Sequence, residues 1–145
     1  MADSRAKGQR GEYAVRDLLR EHTGLQFERV PASGALSYLK GDIYIPNKPN
    51  KYCIEVKNYK DSHINDKILT SKTNKIIEWW EKIEEQALDN DMEPLLFVKY
   101  DRSKIFVVSG EKPVKVKNYL YISSLNCYIM LGEEFLRKEQ LKWLK

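Results

Sequence analysis

At 145 residues the chain is the size of one domain and long enough to bury a core. Charged residues make up 32% and hydrophobic residues 42%, the balance of a globular protein, and no apolar run approaches the roughly 20 residues that a membrane-spanning helix needs. A net charge of +4 permits a nucleic-acid partner without demonstrating one, while two histidines and two cysteines with no CxxC argue against a zinc site.

The amino terminus, MADSRAKGQRGE, lacks the apolar region of a signal peptide, so the expected location is the cytoplasm, with no membrane contact. Residues 1–9, with Arg5, Lys7 and, just after, Arg10, read as a mobile basic arm able to meet backbone phosphates. From Gly8 to Glu21 the spacing of Tyr13, Ala14, Leu18 and Leu19 predicts an amphipathic helix, ended by His22-Thr23-Gly24. Glu12 sits near its start, and two placements are open: paired with Arg16 at i+4, or leaning over the sheet. Leu25 to Val30 alternates as a first strand, with Leu25, Phe27 and Arg29 on one side, and Pro31 stops it. The small-residue loop Ala32–Ser37 would let backbone amides and the Ser33 hydroxyl approach a phosphate closely.

Lys40 to Lys57 then reads as a hairpin: Asp42 to Ile45, the turn formers Pro46-Asn47-Lys48-Pro49-Asn50, and Tyr52 to Lys57. With Asn47 to Asn50 as the loop, the antiparallel register sets Ile43 opposite Ile54 and Asp42 opposite Glu55. Alternation then sends Ile43, Ile45, Ile54 and Val56 to one face and Asp42, Glu55 and Lys57 to the other. Two acids directly across a hairpin repel each other, so the arrangement is a cost without a partner. A divalent cation removes that cost, and magnesium suits one or two carboxylates with room left for water and phosphate oxygens. Lys57, two residues beyond Glu55, adds a fixed positive charge where an attacked phosphate gathers negative charge, a spacing suited to phosphodiester hydrolysis.

Beyond Lys57, the polar run from Asn58 to Lys67 is a loop beside this site, with Tyr59, Lys60 and His63 as candidate contacts to a DNA backbone. Ile64 to Leu88 is the longest helix candidate, with Ile68, Leu69, Ile76, Ile77, Trp80 and Ile83 at helical spacing. Trp80 is assigned to the core; Trp79 lies off the stripe centre and is read either as core or as cover for a partner surface. Pro94 opens the apolar strand Leu95 to Tyr100, expected to be central and covered on both faces, and Lys104 to Val108 completes a second hairpin. A further strand is expected within Tyr119 to Ile122, and a helix over Gly132 to Lys145. Cys53 and Cys127, in apolar surroundings, read as buried thiols.

These residues resemble the PD-(D/E)xK nuclease superfamily, and more narrowly the archaeal-type Holliday-junction resolvases. The likeness runs through Lys7-Gly8, Gly11-Glu12, Arg29, Ser33-Gly34, Gly41-Asp42 and Ile54-Glu55-Val56-Lys57, then more weakly around Trp79-Trp80 to Pro94 through Tyr100. It spans about two thirds of the chain and stops near Glu111, leaving 111–145 as an extension beyond the family core. The resemblance implies that Glu12, Asp42, Glu55 and the Val56 carbonyl surround a metal, that Lys57 is the catalytic lysine, and that Ser33 matches the active-site serine. Gly41 stands where the superfamily has a nominal proline.

The resulting expectations are an α/β fold of the restriction-endonuclease type, one domain with a central mixed sheet of about five strands flanked by helices. The catalytic candidates are Lys57, Glu55, Asp42 and Ser33; the metal candidates are Glu12, Asp42, Glu55 and Val56; the DNA-binding candidates are Lys7, Arg10, Arg29, Ser33, Tyr59 and Lys60. The expected activity is resolution of four-way junction DNA by a homodimer using magnesium, with manganese as a substitute and no small-molecule substrate. The alternatives are another nuclease of the superfamily, acting on flaps, ends or a sequence, or a non-catalytic junction-binding architectural protein.

Overall fold

The computed structural model describes residues 4–31 and 40–141. Helix α1 (Ser4–Thr23) precedes two short strands, β1 (Glu28–Arg29) and β2 (Ile43–Tyr44), and the long strand β3 (Tyr52–Tyr59). A single-turn helix α2 (Lys67–Thr70) and helix α3 (Lys75–Asp89) lead to β4 (Glu93–Tyr100), β5 (Phe106–Ser109), β6 (Leu120–Ile122), β7 (Cys127–Leu131) and helix α4 (Gly132–Lys138).

The described strands form one seven-stranded mixed sheet in the order β1-β2-β3-β4-β5-β7-β6, two strands more than the expected five. Only β3 and β4 pair in parallel; every other neighbouring pair is antiparallel. Strand β4 lies at the centre of the order, and Leu95, Leu96, Phe97 and Val98 are all fully buried. The apolar run that marked this strand is therefore what two covered faces require. Leu95 and Phe97 pack with Val15, Leu19, Ile54 and Leu136 on the face that carries α1 and α4. Leu96 and Val98 pack with Ile76, Trp80 and Ile83 of α3 on the other. At roughly 1.5–3 kcal/mol for each fully buried large apolar side chain, this central strand is a principal source of stability.

Several boundaries differ from the sequence reading. Helix α1 starts at Ser4, so positions 4–9, expected as a mobile arm, are its first turns. The expected first strand shrinks to Glu28–Arg29. The long helix expected over Ile64 to Leu88 is broken: Ser71 is extended, and the Asn74 side chain accepts the Ile76 N–H, capping a fresh start at Lys75. Strand β7 was not expected; it follows a turn in which Asn126 adopts a positive φ of 49°. The last helix ends at Lys138, with Leu141 buried beyond it. Cys53 and Cys127 are buried free thiols, both pushed up to about 12 by burial first.

No helix among the described residues is long and apolar enough to cross a membrane.

Candidate active site

The β2–β3 pairing has the register that alternation dictated, with Ile43 opposite Ile54, and the Asp42 N–H donates to the Ile54 carbonyl at 2.6 Å. The ladder then stops, because the Asn50 side chain takes the place of a strand partner. Its Oδ1 accepts from the Ile45 N–H and its Nδ2 donates to the Ile45 carbonyl. At Gly41 the backbone turns through a φ of +81°, and a Cβ there would lie 2.4 Å from the Ile54 carbonyl oxygen. Only glycine fits this approach, which explains its presence one residue before the acid.

Asp42 is thereby delivered to the edge of β3, where its Oδ2 accepts a 2.8 Å hydrogen bond from the Val56 N–H. Burial, and next the negative charge of Glu55, push its carboxyl up to about 7, although the Val56 N–H and Lys57 pull the other way. Lys57 answers part of this charge directly: its Nζ lies 3.5 Å from Glu55 Oε1. The same ammonium sits 5.7 Å from the centre of the Trp79 ring, a cation–π contact supplied by α3.

Helix α1 brings Glu12 to the same place, and the reason is again a glycine. A Cβ on Gly11 would fall 2.6 Å from the Cβ of Asn58, so the helix rests directly against β3. Asn58 fastens that contact by donating from Nδ2 to the Lys7 carbonyl at 2.9 Å. Of the two placements open for Glu12, the pairing with Arg16 does not form; Arg16 bonds Asp17 instead. Glu12 leans toward the sheet, where Arg29 Nε donates to its Oε1 at 2.9 Å and Arg29 Nη1 donates to the Tyr13 hydroxyl.

These groups line one cleft of about 420 Å³, in which Glu12, Asp42, Glu55, Val56 and Lys57 are joined by Lys7, Tyr59 and Lys60. Arg29 reaches it through Glu12, whereas Arg10 is exposed on α1 and does not line it. Lys7 bridges the cleft to Asp101 at 2.6 Å. Ser33 lies outside the described residues. Among those residues, no three acidic, histidine or cysteine groups converge as a ready-made metal cage. The donor set still suits a hard cation: two crowded carboxylates, one of them charge-frustrated, with open space beside them.

Trp79 and Asp101 escaped the sequence reading of this site, and Asn58 and Tyr59, expected to open a loop beside it, are the last residues of β3. A glycine inside a helix costs stability relative to alanine, so Gly11 was the available sign of a close neighbour, though not of which one.

A family model described as "Phage putative PDDEXK endonuclease" matches residues 3–127. The chain is similar to Protein D14 of Escherichia phage T5, at 41% identity over 124 residues that cover 81% of this chain and 78% of that protein. A solved structure of Archaeoglobus fulgidus Hjc, described as a Holliday junction resolvase from an archaeal hyperthermophile, aligns over 94% of this chain and 98% of its own, at 16% identity and a TM-score of 0.46.

Proposed function

Because the chain belongs to the phage PDDEXK endonuclease family, we propose that it is a magnesium-dependent DNA endonuclease that resolves four-way junctions by paired, symmetric phosphodiester hydrolysis. The observation that carries this reading is the crowding of the Asp42 and Glu55 carboxylates beside Lys57 in one open cleft. Two carboxylates held together against their mutual repulsion have a physical use if a cation joins them.

Asp42 and Glu55 would hold the ion, with the Val56 carbonyl as a further ligand, while Glu12, the third acid lining the cleft, stays paired with Arg29. A magnesium ion bound there would supply Lewis-acid polarisation of the phosphate and a more acidic water. The chain's own groups do the rest. The Val56 N–H fixes the Asp42 carboxylate in orientation, so it needs little rearrangement before reaction. Lys57, steadied between Glu55 and Trp79, presents positive charge where the attacked phosphate becomes more negative. Arg29, anchored by Glu12 and Tyr13, and Lys7 and Lys60 at the cleft offer contacts to backbone phosphates, which position a substrate without reading its sequence.

Selectivity for junctions rests on the resemblance carried by the Lys7-Gly8, Gly11-Glu12, Gly41-Asp42 and Ile54–Lys57 segments. A four-way junction has twofold symmetry and its resolution needs two matched nicks, so a chain with one site acts as a C2 homodimer. The test is incubation with a labelled immobile four-way junction and with a linear duplex of the same sequences, in magnesium and in EDTA. Paired symmetric nicks in the junction alone, lost in EDTA, are the expected result. Equal cleavage of both substrates contradicts junction selectivity, and tight junction binding without cleavage contradicts the catalytic assignment.

A further inference from the structure

Glu55, Lys57 and Tyr59 occupy alternate positions of β3 and so project from one face of the sheet in a row. Each meets the same neighbour or its surroundings: Trp79 lies under Lys57 and stacks on Tyr59, with ring centres 5.1 Å apart and planes inclined by 29°. His63 closes the group edge-on, at 5.5 Å from Tyr59 and 5.1 Å from Trp79. His63 is itself tied down by a 3.0 Å hydrogen bond to the Tyr100 hydroxyl. Trp79 is 8% exposed and Tyr100 2%, whereas Tyr59, the outermost ring, is 43% exposed.

The result is a flat, rigid aromatic ring at the rim of the cleft, backed by a buried indole and flanked by Lys57 and Lys60. A tyrosine kept only to seal the core would turn its ring inward; this one rests an aromatic face on Trp79 and leaves much of its surface to solvent. A ring of this kind offers a stacking face to a planar, π-rich group whose attached phosphate can reach the cationic cleft. A nucleobase that has left the duplex stack meets both requirements, and stacking of that sort tolerates any base.

We propose that Tyr59, held by Trp79 and His63, is a stacking site for one unstacked nucleobase at the branch point of the DNA substrate. The inference rests on the nuclease reading above and deepens it. Paired bases inside a continuous duplex cannot occupy the site, so it favours DNA in which a base next to the scissile phosphate has already lost a stacking neighbour. The ring, rather than the phenolic hydroxyl, is the recognising group.

The test couples a protein change to a DNA change. Binding of the full chain is measured in EDTA, where no cleavage is needed, to a four-way junction and to a splayed-arm duplex. In each, the bases at the branch are replaced one at a time by an abasic residue. Tyr59→Leu keeps an apolar cover over Trp79 without a flat face, and Tyr59→Phe keeps the face without the hydroxyl.

At one branch position, removing the base and introducing Tyr59→Leu should each weaken binding about tenfold, and together no more than either alone. Tyr59→Phe should stay close to the wild type, and thermal melting should confirm that all variants fold. Losses that multiply at every position on both substrates, or a Tyr59→Phe variant as weak as Tyr59→Leu, overturn the proposal. Because the readout is binding to two branched substrates, it stands apart from failure of the nuclease reading, which shows as absent cleavage in magnesium.

Discussion

The Asp42 carboxylate accepts a 2.8 Å hydrogen bond from the backbone N–H of Val56, the residue between Glu55 and Lys57 on β3. One bond thus ties the acid just before the short strand β2 to the strand that carries the other two chemical groups. It also holds Asp42 where burial and Glu55 oppose its ionisation, which raises its carboxyl from 3.8 to about 7.

That shift makes metal-free stability depend on pH. The folded carboxyl keeps its proton up to about pH 7, while the unfolded one loses it near 3.8. The contribution is fully present below 3.8 and is lost as pH rises through 7. Urea unfolding in EDTA should show roughly 2–3 kcal/mol less stability at pH 8 than at pH 5, and Asp42→Asn should flatten the difference. Magnesium added at pH 8 should restore stability to the wild type and not to the variant. A wild-type profile as flat as that of Asp42→Asn contradicts the charge frustration.

Gly11→Ala sets two effects against each other. Helix propensity favours alanine by about 1 kcal/mol. The new Cβ would meet Asn58 Cβ at 2.6 Å, and a packed helix–strand contact forced apart costs about 1–3 kcal/mol. We expect the steric effect to win, with a lower melting temperature and weakened cleavage as α1 carries Glu12 away from β3. A melting temperature above the wild type would show that the contact gives way easily.

Glu139 anchors the other end of the domain. Its carboxylate accepts the N–H groups of Val114, Lys115 and Val116 at 2.7–2.8 Å, tying the segment before β6 to the end of α4. Burial would raise its pKa, but these three bonds outweigh it and the net shift is downward from 4.5. The group therefore adds stability above 4.5 that is lost as pH falls through its lower folded value. Glu139→Ala should cost about 1 kcal/mol at pH 7, a modest amount because solvent screens the site, and less near pH 3. Equal losses at both pH values would mean that the carboxylate charge is not what binds the loop.

The register at Ile43 and Ile54 was legible because an alternating pattern admits one pairing that keeps both isoleucines in the core. The same holds for β4, whose unbroken apolar run has no solvated face to hide. The start of α1 was not legible: Ser4 to Arg10 has no apolar stripe, and what holds it is polar, the Asn58 bond to the Lys7 carbonyl and the Lys7 pair with Asp101. The break between α2 and α3 was hidden because Ile68 and Leu69 keep helical spacing with Ile76, yet Leu69 is 81% exposed. Within the site, spacing brought Asp42, Glu55 and Lys57 to one cleft, with Asp42 just before β2 and the other two on β3. Trp79 arrives from a distant helix, and nothing in its local pattern says that a lysine will sit over it.

The most direct test is single-turnover cleavage of a labelled four-way junction by the wild type and by Asp42→Asn, Glu55→Gln and Lys57→Ala, each shown by thermal melting to be folded. With magnesium the wild type should nick the junction, and each variant should be slower by about a hundredfold or more while still binding it. Cleavage that survives in any of the three folded variants at the wild-type rate, or that persists in EDTA, would contradict the assignment of this cleft as the catalytic centre.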